Sequence, residues 1–170
     1  MRASSCRLRW FVLTLTRAIG ARSGVRVGER EESIAREFIK EQECQGSWDD
    51  AQIGRILSRM APDARWHVYA WKRPMIGWDE IRAEMLRQVS VFANYRSEIK
   101  TIVSTDRTVL LERIDSQTMG RRLQTPVTLH AAAAAEVDAD GKIAAWSDYF
   151  DSKEVEAQLG GGTSTAGSRA

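Results

Sequence analysis

DADGKIAAWSDYFDSKE, residues 138–154, runs from a turn into a strand and out toward a helix. DADG (138–141) carries the Asp and Gly residues that tight turns select. In the strand that follows, Ala144, Trp146, Asp148 and Phe150 share one face of the pleat, while Ile143, Ala145, Ser147 and Tyr149 share the other. Asp151 falls past the strand end, where a first-turn acid caps a helix starting at Ser152–Glu154. Asp148, between two aromatics, is the costly one. A carboxylate there must be paired, exposed or working.

Working upstream, three more segments read as strands: SEIKTIVSTD (97–106), TVLLERIDSQ (108–117) and RLQTPVTLHAAAAAEVD (122–138). ARWHVYAW (64–71) reads as a shorter one. The earlier chain is helical. ESIAREFIKEQEC sets Ile34 and Phe38 on one face. SWDDAQIGRILSRM offers Ser47 or Asp49 as a cap and Ile53, Ile56, Leu57 and Met60 at helical spacing. A third helix begins after Gly77, with Ile81, Met85, Leu86 and Val89 on one side. Helices first and strands afterwards predict an α+β fold: three N-terminal helices packed on a strongly curved, mixed but mostly antiparallel sheet that encloses a pocket.

The pleat locates a candidate site. In VLLERIDS, Val109, Leu111, Arg113 and Asp115 share a face. If that face and the Asp148 face both look inward, one Arg and two Asp meet in an apolar cavity. Two ionised aspartates and one arginine leave a net −1, and one added proton neutralises the cluster. Neighbouring carboxylates favour such a proton, and the arginine supports the remaining charge. A base and an acid side by side is the arrangement general acid/base chemistry needs. A buried salt bridge without chemistry has the same spacing.

Composition bounds the alternatives. A chain of 170 residues suits one domain with room for a pocket. The net charge of +2 hides an asymmetry: residues 1–30 hold seven Arg and one Glu, and the remainder holds 18 basic and 22 acidic residues. The mildly acidic body argues against nucleic-acid binding. The 1–30 basic extension is expected to be disordered or a targeting segment. Its apolar run, Trp10 to Thr16, is too short to span a bilayer. GGGTSTAGSRA (160–170) reads as a flexible tail, which leaves a folded domain over 31–158. Cys6 and Cys44 form no metal or disulfide pattern, so a cytoplasmic location is expected.

ERID (112–115), followed about thirty residues later by DGKIAAWSDYFD (140–151), resembles the limonene-1,2-epoxide hydrolase family. That family belongs to the conical folds shared with nuclear transport factor 2 (NTF2-like), ketosteroid isomerase and SnoaL-like polyketide cyclases. The resemblance covers roughly residues 33–157. It implies hydrolysis of a small apolar epoxide to a vicinal diol, with no cofactor and no metal. Asp148 would deprotonate a water, Asp115 would protonate the epoxide oxygen, and Arg113 would orient both. Trp146, Phe150 and Leu111 would contact substrate. The family holds its water with a Tyr and an Asn two residues apart; counted back from Gly77, His67 and Tyr69 fall near those two positions here and differ from that pair. Each also has a packing reading, as a structural imidazole and a core aromatic. The resemblance further implies a homodimer formed through the sheet, without nucleic-acid or membrane partners. Other readings are a cyclase or isomerase moving a proton beside a carbonyl, and a non-catalytic binding module.

Three weaker features complete the reading. The run His130 to Ala135 puts poor strand formers in a strand, which could make pocket space. His130 itself is taken as structural, and Lys72 and Arg73 as solvated loop charges. Trp48, Trp71 and Trp78 suit either packing or a dimer surface.

Overall fold

The computed structural model describes residues 28–69, 72–120 and 124–160. Most of the basic extension, Cys6, Trp71 and nearly all of the Gly/Ser tail lie outside these. Three helices come early: α1 (Glu29–Gln42), α2 (Asp50–Ser58) and α3 (Gly77–Gln88). Between and after them run β1 (Met60–His67), β2 (Met75–Ile76), β3 (Phe92–Ser104), β4 (Thr108–Met119), β5 (Thr125–Val137) and β6 (Ile143–Phe150). A fourth helix, α4 (Ser152–Gly160), closes the order.

The six strands form one sheet in the order β2-β1-β6-β5-β4-β3. Only β1 and β6 run parallel; every other neighbouring pair is antiparallel. Register shifts in β1, twice in β3 and at the β5–β6 end bend the sheet, as bulges do. α1 packs on β3, β4 and β5, and α3 packs on β1, so the helices fill the concave side. The result is an NTF2-like α+β cone.

Local signals explain most boundaries. Asp49 caps α2, its side chain accepting from the Gln52 amide. The 138–141 turn closes through Gly141 N–H to the Asp138 carbonyl, and Gly141 takes the positive φ of 79° that the turn requires. Asp151 Oδ1 accepts from the Lys153 amide at the start of α4.

Several expectations need correction. Met60 does not end α2; it opens β1 and is fully buried. The Pro62-Asp63 pair disguised this start. The register shift between Met60 and Arg65 accommodates the proline where no regular ladder bond is needed. The first strand therefore covers 60–67 rather than 64–71. On α3 the inward stripe is Ile81, Met85 and Gln88, and Leu86 turns to solvent. Ile143 points inward beside Trp146, because a bulge between Ile143 and Ala145 breaks the alternation.

The core lies between the sheet and α1–α3. Phe38 packs on Trp146 with ring centroids 4.8 Å apart, and Trp48 meets Phe92 edge-on at 4.9 Å. On β5 the alanines divide: Ala131, Ala133 and Ala135 face in, while Ala132, Ala134 and His130 face out. The inner three are the cross-strand neighbours of Arg113, Leu111 and Val109 on one side and of Phe150, Asp148 and Trp146 on the other.

Candidate functional site

The pleat of β4 turns Val109, Leu111, Arg113 and Asp115 inward, and that of β6 turns Trp146 and Asp148 inward. The small Ala131 and Ala133 between them leave room for the Arg113 side chain to cross β5. Its Nε donates to Asp115, 3.0 and 2.9 Å from the two carboxylate oxygens, and its Nη2 donates to Asp148 Oδ1 at 2.8 Å. All three are buried: Arg113 is 6% exposed, Asp115 3% and Asp148 8%.

Each carboxylate has one crowded oxygen and one with spare capacity. Asp148 Oδ1 accepts from Arg113 and from Trp146 Nε1 at 2.8 Å; among the described residues Oδ2 has only Trp66 Nε1, at 3.4 Å. Asp115 Oδ1 accepts from Ser97 Oγ at 2.7 Å and from Arg113; Oδ2 has Arg113 alone. Tyr95 lies beside Ser97. Burial pushes the Tyr95 hydroxyl above its ordinary range, so it stays protonated as a donor. Burial works against the Arg113 charge, but Asp148, Tyr95 and Asp115 outweigh it and hold the guanidinium above its usual value. Trp146 adds a ring 5.9 Å from the Arg113 carbon. Arg113 Nη1 is buried and has no hydrogen-bond partner among the described residues.

This cluster opens into a cavity of about 300 Å³. Its wall includes Arg113, Asp115 and Asp148 with Trp48, Trp66, Phe92 and Phe150; Val155 of α4 stands at its margin. The volume is at the small end of the ~300–1,000 Å³ usual for ligand pockets. Among the described residues no group of three His, Cys, Asp or Glu side chains is placed to hold a metal.

Not every expected site residue reaches the cavity. Phe150 and Tyr69 line it; His67, Trp146 and Leu111 do not. β1 turns Ala64 and Trp66 inward, so His67 faces the other way and its Nε2 donates to the Lys72 carbonyl at 2.7 Å. Tyr69 lies past the strand end, and its hydroxyl accepts from Arg87 Nη2 at 2.8 Å. The two therefore do not form a pair on one strand face. Trp146 sits behind Asp148 as a hydrogen-bond donor, packed on Phe38. Leu111 is core. Trp66 is the β1 residue that meets Asp148. The alternation Ala64-Arg65-Trp66-His67 signals this, since the charged partner of an alternating pair faces out. Ser97 left no such signal: its place opposite Asp115 depends on the β3 register.

An α+β cone with a carboxylate–arginine–carboxylate cluster at its floor places the chain among the NTF2-like proteins. The SnoaL-like domain family matches residues 44–146, and the chain belongs to it. Solved structures share the fold at low identity. An LEH-like epoxide hydrolase from Mycobacterium tuberculosis is 20% identical, with a TM-score of 0.61 over 78% of this chain and 91% of that one. A SnoaL-like polyketide cyclase candidate from Shewanella denitrificans is 13% identical, with a TM-score of 0.65 over 77% and 97%. A Catenulispora acidiphila protein with a ketosteroid isomerase-like fold, bound to trimethylamine, is 17% identical, with a TM-score of 0.60 over 79% and 94%. No curated protein sequence matches the chain. No helix among the described residues is long and apolar enough to cross a membrane.

Proposed function

We propose that the protein hydrolyses a small epoxide to a vicinal diol in one step, without a cofactor. The observation that carries this reading is Arg113 linking two buried aspartates, each with one oxygen that accepts a single hydrogen bond among the described residues. A water at Asp148 Oδ2 gives up its proton as its oxygen bonds to an epoxide carbon. The carbon–oxygen bond of the ring breaks, and Asp115, carrying the proton, delivers it to the departing oxygen. Base and acid together avoid both a free hydroxide and a free alkoxide. Arg113 keeps a cation between the carboxylates while the proton deficit moves from one to the other. Trp66 Nε1 is the group nearest to help hold the water.

A second reading is proton transfer beside a carbonyl, as in a cyclase or isomerase. The absence of a His67–Tyr69 pair beside Asp148, where the epoxide hydrolases keep a Tyr and an Asn, favours it. Assay of the purified protein with limonene oxide and cyclohexene oxide in ¹⁸O-labelled water separates the two. The epoxide reading expects a diol carrying one label, and Asp148→Asn lowers turnover by about 10²–10⁴-fold. Full activity in that variant would remove Asp148 as the base.

We further propose a homodimer through the outer face of the sheet. Val103 pairs with Leu110, Leu110 with Ala134, and Tyr149 with Ala132, so these exposed side chains form one continuous apolar surface.

A further inference from the structure

The helical wall of the cavity carries two buried amides that the reaction does not use. Gln42 closes α1 and Gln88 closes α3; they are 9% and 7% exposed, and both line the cavity. Their orientation follows from what their nitrogens touch. Gln42 Nε2 donates to the Phe38 carbonyl at 3.3 Å. Gln88 Nε2 donates to Glu84 Oε1 at 3.0 Å. Neither acceptor has a proton to give at neutral pH, so flipping either amide would set oxygen against oxygen. The opposite atom of each, Oε1, is therefore fixed as a hydrogen-bond acceptor. Neither Oε1 has a protein partner among the described residues.

The amides are also held in place. Glu84 is gripped by Arg87, which in turn donates to the Tyr69 hydroxyl. Gln42 is anchored by its main chain, whose carbonyl accepts from Trp48 Nε1 at 2.7 Å. The cavity wall around them is largely aromatic and aliphatic, and none of the donors among the described residues is bonded to either oxygen. An acceptor left without a donor in such surroundings is costly, and the cost falls on any ligand that cannot supply one.

We infer that the substrate carries a hydrogen-bond donor, a hydroxyl or N–H group, away from its reacting ring, and that the Oε1 of Gln42 or of Gln88 accepts it. The sheet wall then does the chemistry and the helical wall selects a hydroxylated compound over a plain hydrocarbon. The identity of the reacting ring rests on the epoxide reading; the preference for a donor does not. A site built to hydrogen-bond a substrate group discriminates strongly against the analogue lacking it.

The test uses two inert ligands that differ by one hydroxyl, limonene and perillyl alcohol, titrated into the full chain by tryptophan fluorescence. The expected result is binding of the alcohol about tenfold tighter, the worth of one or two such hydrogen bonds. In the Gln42→Met/Gln88→Met double variant the ratio of the two affinities falls to about one. Equal affinity in the unaltered protein, no binding by either ligand, or an advantage that survives in a folded double variant each overturns the inference. The unaltered protein decides the matter even if the double variant does not fold. Neither ligand holds an epoxide, so a lack of epoxide turnover would end the reading of the reaction and leave this result standing.

Discussion

Replacing Arg113 with Met tests whether the buried cluster is one electrostatic unit. The substitution nearly preserves side-chain volume but removes the donors to Asp115 and Asp148. Asp148 keeps Trp146 and Trp66, and Asp115 keeps Ser97, so hydrogen bonding survives in part. What disappears is the only cation among three side chains that are each less than a tenth exposed. Stranding a buried charge in this way costs about 3–5 kcal/mol. For a domain of this size, at roughly 3–6 °C per kcal/mol, the melting temperature should fall by ~9–30 °C at pH 8. The variant should then recover on acidification. Without the guanidinium, the folded carboxylates take up protons that the unfolded chain releases. Stability therefore falls as pH rises, by about 1.4 kcal/mol per pH unit for each proton taken up. Thermal melts followed by circular dichroism between pH 5 and 8 measure both effects. A variant that melts within 3 °C of the unaltered protein at pH 8, or with no recovery at pH 5, would show that Arg113 is not holding the carboxylates.

Three further outcomes are expected. Ser97→Ala removes one acceptor contact on Asp115, so turnover should fall about tenfold with little change in KM, measured by steady-state kinetics. Glu84 has its carboxyl held below the ordinary range. Burial opposes this, but the hydrogen bonds from Arg87 and Gln88 outweigh it. A carboxyl depressed on folding stabilises above the ordinary carboxylate range and ceases to as pH falls through its folded value. Melts from pH 7 to pH 3 should therefore lose less stability in Glu84→Gln than in the unaltered chain. Leu110→Glu puts a charge on the outer face of the sheet, and light scattering after size exclusion should show a dimer for the unaltered chain and a monomer for the variant.

The strands were legible because their alternation is strong. In β4 a charged residue continues an apolar stripe, and the structure buries both Arg113 and Asp115 on that stripe. Asp148 was legible for the same reason, with Trp146 and Phe150 beside it. What failed did so where the period breaks. The proline and bulge hid the start of β1, and its true register sends Trp66 in and His67 out. The bulge before Ala145 inverted Ile143. Leu86 looked like core by hydropathy, but the inward positions of α3 run 81, 85, 88, and Gln88 occupies the last. Ser97 and Tyr95 join the site through strand pairing that no short window of sequence encodes.

The plain strand β5 also fixes the scale of the site. It contributes no functional group, yet it separates the strand of Asp115 from the strand of Asp148. Asp115 pairs with Leu129 and Asp148 with Ala133, so the two backbones stand two strands and four residues apart. At about 4.8 Å per strand and ~3.4 Å per residue, that is roughly 10 Å across and ~14 Å along the sheet. Backbone hydrogen bonding holds that spacing along all of β5, independent of any side-chain rotamer. The sheet thus acts as a ruler. Loops and helices around the mouth can vary to admit different molecules while the placement of the two carboxylates stays constant.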